Sequence, residues 1–192
     1  MRVIVGISGA SGAIYGVRLL EVLRQAPEVE THLVFSQAGR LTVGLETGWK
    51  PDQVEELADE VHAAGNISAP ISSGSFHVDA MVVAPCSMKT LSAIVHSYSD
   101  NLLSRAADVI LKERRQLILM PRETPLHLGH ARLLVQAAEM GAHLCPPVPA
   151  FYNNPRTIDD IVNHSVGRVL DLLGLDLGLV KRWGGASSSL EE

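Results

Sequence analysis

Aromatic side chains are scarce, at 4% of the chain, and cysteine occurs only twice. Cys86 and Cys145 lie far apart and share no metal-ligand spacing. That argues against a zinc cluster or a disulfide framework, and for buried free thiols in a reducing compartment. Lys and Arg number 16 against 21 Asp and Glu, a net charge of -5. With no run of basic residues, nothing can track a nucleic-acid backbone, so a local cluster must hold any anionic ligand. No stretch approaches the ~20 apolar residues that cross a bilayer. Near the amino terminus Gly6, Ser8, Gly9, Ser11 and Gly12 interrupt the apolar run, and Arg18 and Glu21 follow, so no signal-peptide core forms. A cytoplasmic protein is expected.

What is there reads as an ordinary globular chain. Of 192 residues, 46% are hydrophobic and 19% charged. Strand and helix patterns alternate from the start. Val3 to Ile7, Thr31 to Phe35, Met81 to Pro85 and Gln116 to Met120 are short apolar runs suited to strands covered on both faces. His143 to Cys145 makes a short last strand. Helical spacing runs over Ile14–Leu23, Ala38–Glu46, Pro51–His62, Ser87–Val95, Asn101–Arg114 and Leu126–Met140. Thr157 and Asp160 form a capping box that opens a final helix to about Leu173. The pattern predicts an α/β three-layer sandwich with a mostly parallel sheet. With no repeat or linker, residues 1–183 form one domain and 184–192 a disordered tail.

In such sheets ligands sit beyond the carboxyl ends of the strands. The first loop there, Gly6-Ile7-Ser8-Gly9-Ala10-Ser11-Gly12, lets the backbone approach a ligand and offers free amides to a phosphate. It lacks the Gly-Lys-Ser/Thr of a P-loop and the spacing of G-x-G-x-x-G. The second strand ends in Ser36 rather than the acid that binds an adenosine ribose. A neutral hydroxyl suits a flavin ribityl or phosphate group better, which favours FMN over NAD; Ser36 also suits a helix N-cap. The third loop, Ala84-Pro85-Cys86-Ser87-Met88-Lys89-Thr90, puts Lys89 at a helix start, where an anion is normally preferred. A bound anion or an electron-rich flavin edge would compensate, and a lysine pointing to solvent is the alternative. Pro121-Arg122-Glu123-Thr124-Pro125 stiffens an adjacent acid and base; Phe151-Tyr152 ends a Pro-rich turn. Lys112, four residues after Asp108, and Arg168 between Val166 and Val169 read by pattern as ordinary helix-surface residues.

Together these blocks, with Tyr15-Gly16-x-Arg18-Leu19-Leu20, Arg105-Ala106-Ala107-Asp108-Val109-x-Leu111-Lys112-Glu113-Arg114-Arg115 and Pro149-Ala150-Phe151-Tyr152, strongly resemble the UbiX-type flavin prenyltransferases. The match runs in order from Val3 to Trp183. The resemblance implies a flavodoxin-like (Rossmann-like) fold, a homododecamer, and FMN bound between subunits. It puts Gly9, Ala10, Ser11, Gly12, Ser36, Ser87, Met88, Lys89, Thr90 and Arg122 on flavin-contact positions. Lys112, Tyr152 and Arg168 fall on those that hold the phosphate of dimethylallyl monophosphate. Ser11, Glu46 and Glu123 match residues that handle protons, Lys112 counts with them as catalytic, and Trp183 matches an aromatic near the site. The implied product, prenylated FMN, serves a UbiD-type decarboxylase in ubiquinone synthesis or aromatic-acid breakdown.

The residue types suit that chemistry. A departing phosphate needs cations and hydroxyl donors, and reduced flavin's π surface can stabilise an allyl cation. The Mg²⁺-binding pattern D-D-x-x-D fails, because Asp159-Asp160 is followed by Ile161, Val162 and Asn163. No metal is expected. Two other readings stand beside this one. A flavin-dependent decarboxylase on the same scaffold is the first, although the cysteine decarboxylases carry Pro-Ala-Ser-Ala-Asn-Thr where Ala84 to Thr90 stands here. A flavin-binding carrier or sensor without catalysis is the second.

Overall fold

The structure, a computed structural model, describes residues 1–179; Trp183 and the stretch 184–192 lie outside the described residues. The elements run β1 (Arg2–Ile7), α1 (Ile14–Leu23), β2 (Glu30–Phe35), α2 (Gln37–Glu46), α3 (Pro51–Glu55) and β3 (Glu60–His62). They continue with β4 (Ala80–Cys86), α4 (Met88–Val95), α5 (Leu102–Lys112), β5 (Gln116–Pro121), α6 (Leu128–Glu139), β6 (His143–Leu144) and α7 (Ile158–Leu173). The six strands pair in the order β3-β2-β1-β4-β5-β6, and every pairing is parallel. Without the three-residue edge strand β3, the remaining order is flavodoxin-like.

Alternation along each strand explains the continuous apolar runs. In β1, Val3, Val5 and Ile7 face one core with Leu19, Leu20 and Leu23 of α1 and Val162, Val166 and Val169 of α7. Ile4 faces the other, with Met81 and Val83 of β4 and Leu103, Ala106 and Ile110 of α5. Both faces are covered, so apolar side chains are favoured along β1 and β4. Each fully buried Leu or Ile contributes about 1.5–3 kcal/mol.

One expected element changes. The helix read over Pro51–His62 stops at Glu55, and Glu60–His62 becomes β3. Val61 lies opposite Leu33 on the edge of β2. Asp59 fixes that turn: its carboxylate accepts from the Thr31 amide at 2.7 Å and hydroxyl at 2.8 Å, and its own amide donates back to the hydroxyl. Helical spacing of Val54, Leu57 and Val61 cannot reveal a strand whose hydrogen bonds lie on a distant neighbour. The capping box of α7 forms as expected, with Thr157 and Asp160 exchanging side chain-to-backbone bonds.

The sheet order reverses between β1 and β4, which opens a crevice at their carboxyl ends. No helix among the described residues is long and apolar enough to cross a membrane.

Candidate active site

Ser8, at the tip of β1, is fully buried. Its hydroxyl donates to the Pro85 carbonyl at 2.8 Å and accepts from the Ser87 amide at 2.8 Å. One side chain thus stitches the first loop to the third across the point where strand order reverses. Gly9 then lies against α2 so closely that a Cβ there would sit 2.2 Å from the Cβ of Ala38. Only glycine allows that approach.

Between these loops is a cavity of 430 Å³, within the usual range for a cofactor site. Gly9, Ser36, Gln37, Ser87, Lys89 and Thr90 line it, joined by Gly65, Asp100, Asn101 and Ser104. Ser36 and Ser87 are the N-caps of α2 and α4, accepting from the amides of Gly39 at 2.9 Å and Thr90 at 3.2 Å. Accepting uses a lone pair, so each hydroxyl keeps a proton to donate; that of Ser87 goes to the Thr90 hydroxyl at 3.1 Å. Two helix starts therefore meet one cavity, each with the positive end of its dipole. Lys89 stands in the wall of the same cavity, so the cation that opposes the α4 dipole faces the space where an anion would relieve the conflict. Paired helix starts, hydroxyl donors, an ammonium and a glycine loop fit the phosphate and polar ring edge of FMN.

Other expected flavin contacts lie beside this cavity rather than in its lining. Met88 packs against the core on the α5 side of the sheet. Ala10, Ser11, Gly12 and Arg122 belong to a neighbouring cluster. Arg122 Nε donates to the Ser11 carbonyl at 3.0 Å, and Glu46 accepts from the Gly12 amide at 2.7 Å. Gly12 has φ +97°, which a side chain would strain. Arg122 and Glu123 each bond to backbone, Glu123 accepting from the Thr124 amide at 3.0 Å. Ser11, Glu46 and Arg122 are brought together, with Glu123 next in the chain. Tyr15 adjoins them, its phenol raised above its ordinary pKa mainly by burial, with Ser165 and Arg122 opposing.

A second group gathers on α7. The Tyr152 hydroxyl lies 3.0 Å from Nε2 of His164. Arg168, one turn further on, donates to Asp171 at 2.5 Å. The positive charge of Arg168 is felt by both His164 and Cys145, and Cys145 follows β6 directly. Tyr152 and Arg168 therefore both lie around His164. Lys112 ends α5, where the chain turns into β5, and pairs with Glu113 beside Gly74. The expected pair with Asp108 is absent, because Arg105 holds Asp108 at 2.8 Å. Both cysteines are free thiols; Cys86 is fully buried, which pushes its pKa up to about 12, and Cys145 is half-buried.

The flavoprotein family model matches residues 1–170. A flavin prenyltransferase UbiX from Escherichia coli strain K12 is 62% identical over 187 residues, covering 96% of this chain and 99% of that protein. The chain belongs to the UbiX flavin prenyltransferase family. Among solved structures, a dodecameric FMN-dependent UbiX-like decarboxylase from Escherichia coli O157:H7 superposes with a TM-score of 0.95 at 51% identity, covering 96% and 100% of the two chains. A second, AnUbiX (PadA1) in complex with FMN and dimethylallyl pyrophosphate, gives 0.94 at 49% identity, covering 96% and 97%.

Several residues around the cavity of this UbiX family member were not singled out by sequence reasoning. Ser8 follows a buried strand inside a glycine loop, and only that position hinted at it. Asn101 caps α5 through the Ser104 amide at 3.1 Å, and Ser104 is a buried polar side chain. Asp100, which accepts from Asn101 at 2.7 Å, adds an acceptor to a wall made mainly of donors. The Asn101 helix-start signal was readable, but its nearness to the first three loops was not.

Proposed function

We propose that this chain transfers a dimethylallyl group from dimethylallyl phosphate to N5 and C6 of reduced FMN, making prenylated FMN for a UbiD-type decarboxylase. Membership of the UbiX family supports the reaction; what carries the flavin assignment is the cavity where two helix starts, Ser36, Ser87 and Lys89 converge. When bound, reduced FMN supplies the nucleophilic N5 and then C6, which close a ring on the allyl unit. Every other task falls to the protein.

Gly9 and the caps of α2 and α4 hold the flavin phosphate, with Ala10, Ser11, Gly12, Met88, Thr90 and Arg122 completing the contacts. Breaking the allylic C–O bond leaves negative charge on the departing phosphate. Arg168, Lys112 and the Tyr152 hydroxyl offset it, so the leaving group separates without a metal. Loss of the C6 proton then needs a relay. Ser11, Glu46 and Glu123 stand in that role, beside the released phosphate itself.

In this reading Lys112, at the end of α5, reaches the phosphate from a neighbouring subunit. A site shared between subunits fits a dodecamer, as in the Escherichia coli O157:H7 relative. Exposed Leu45, Leu128, Val135 and Phe151 supply the apolar surface such an assembly buries. We place the enzyme in the cytoplasm, as one flavin-binding domain of residues 1–183 followed by a tail. The free thiols fit that reducing setting.

The test is anaerobic. Protein mixed with reduced FMN and dimethylallyl monophosphate should give, by mass spectrometry, a flavin heavier by one C5 unit. Release of CO₂ from an aromatic acid with FMN alone, and no heavier flavin, would favour the decarboxylase reading instead.

A further inference from the structure

The Tyr152 phenol is 52% exposed, whereas the His164 ring beneath it is only 8% exposed. Their polar atoms are 3.0 Å apart, and the rings meet edge to face with centroids 5.7 Å apart. His164 also lies one helical turn before Arg168, so one stretch of α7 carries both the imidazole and the guanidinium. Tyr152 stands on a loop and is half-exposed, whereas His164 is buried in a helix. A buried hydrogen-bond partner on a helix helps to fix the phenol before substrate arrives.

We propose that His164 is a positioning residue for the donor phosphate, acting through Tyr152 by donating its Nε2 hydrogen to the phenol oxygen. The inference rests on the reading that Tyr152 holds the phosphate. Its direction follows from valence. A phosphate dianion only accepts, and a phenol has a single proton to give. Once that proton points at phosphate, the bond to His164 survives only if Nε2 carries the hydrogen and the phenol oxygen accepts. Valence asks only that Nε2 carry a hydrogen, which the neutral Nε2 tautomer supplies without adding a charge. Burial, and then the charge of Arg168, hold His164 below its ordinary pKa, partly offset by Asp171. A second cation here would add charge next to Arg168 without touching the substrate.

The test uses the full enzyme with reduced FMN, varying dimethylallyl monophosphate. His164→Leu keeps bulk but cannot donate, and should raise KM for the monophosphate about fivefold to tenfold, as loss of one hydrogen bond does. Turnover at saturation should stay within about twofold, and FMN binding should be unchanged. His164→Gln, whose amide can donate from a similar reach, should restore most of the loss. In a Tyr152→Phe background, His164→Leu should have no further effect. An unchanged KM in His164→Leu, or an undiminished effect in the Tyr152→Phe background, overturns the inference. If Tyr152→Phe alone leaves KM unchanged, the phosphate reading of Tyr152 fails first, and this inference with it. Should the leucine variant not fold, His164→Asn serves instead, because its amide stops short of the Nε2 position and should behave like the leucine variant.

Discussion

The carboxylate of Glu46, at the end of α2, accepts a 2.7 Å hydrogen bond from the backbone amide of Gly12 in the first loop. That amide is therefore already satisfied. Glu46 is left as a charged group beside Ser11, whose carbonyl is held in turn by Arg122 at 3.0 Å.

Glu46→Gln separates the two roles this bond allows. The glutamine amide oxygen can still accept from Gly12, so the loop keeps its shape, but the group no longer exchanges a proton. FMN affinity, followed by flavin fluorescence, should change by less than about threefold, because no bond to the loop is lost. Anaerobic turnover should fall by about 10²–10³-fold, the range for a lost acid-base group. Retained turnover would remove Glu46 from the proton relay.

Gly9→Ala tests the approach of the first loop to α2. An added Cβ meets the Cβ of Ala38 at 2.2 Å, and the backbone of Ala38 at 3.2 Å, so the loop must move rather than a side chain. Overpacking of this kind costs about 1–3 kcal/mol, readable in a denaturant midpoint. Because Gly9 also lines the cavity, FMN affinity should fall at least about tenfold, again by titration. Unchanged affinity would separate the cavity from the flavin.

Much of this was readable in the sequence, and the failures have a common cause. Strands buried on both faces announced themselves as apolar runs, and Ser36, Ser87 and Thr157 are side-chain caps where local chemistry indicated. Those signals act over a few residues. What escaped notice acts across the fold. β3 exists because Asp59 and Thr31 bind each other, Ser8 matters because it reaches Pro85, and His164 matters because the chain folds Tyr152 back onto α7. Lys89 and Lys112 show the limit from the other side. Lys89 left an anion and solvent equally open, and Lys112 looked like an ordinary surface lysine; the fold puts one in the cavity wall and the other at the end of α5.

The position of Lys112 leads to a complementation experiment. If each site takes Arg168 from one subunit and Lys112 from a neighbour, Lys112→Ala and Arg168→Ala are each inactive alone. Subunits of the two variants, dissociated and reassembled in equal amounts, then form some sites with both groups intact. About a quarter of wild-type turnover should return, since a site needs the right copy on each side of its interface. No recovery from verified mixed oligomers would mean that Lys112 is not donated across a boundary.

Away from the site, His32 is 3% exposed and wedged between two partners. Its Nδ1 lies 2.8 Å from Nε2 of His62, and its Nε2 lies 3.0 Å from Glu30. One proton fits between the two facing ring nitrogens, and a second would repel it. Burial, then the charge of His32, lower the pKa of His62 from its ordinary 6.5, with Glu60 offsetting part of this. The unfolded chain therefore takes up that proton at higher pH than the folded one. Stability from this pair is complete above about pH 6.5, drains as the pH falls below it, and levels off once the folded value is passed. His164 acts with the same sign. Denaturant midpoints measured between about pH 7.5 and 5.5 should fall, and His62→Gln should flatten the slope while keeping a polar partner for His32. An identical slope in that variant would show that the histidine pair does not set the acid limit of the fold.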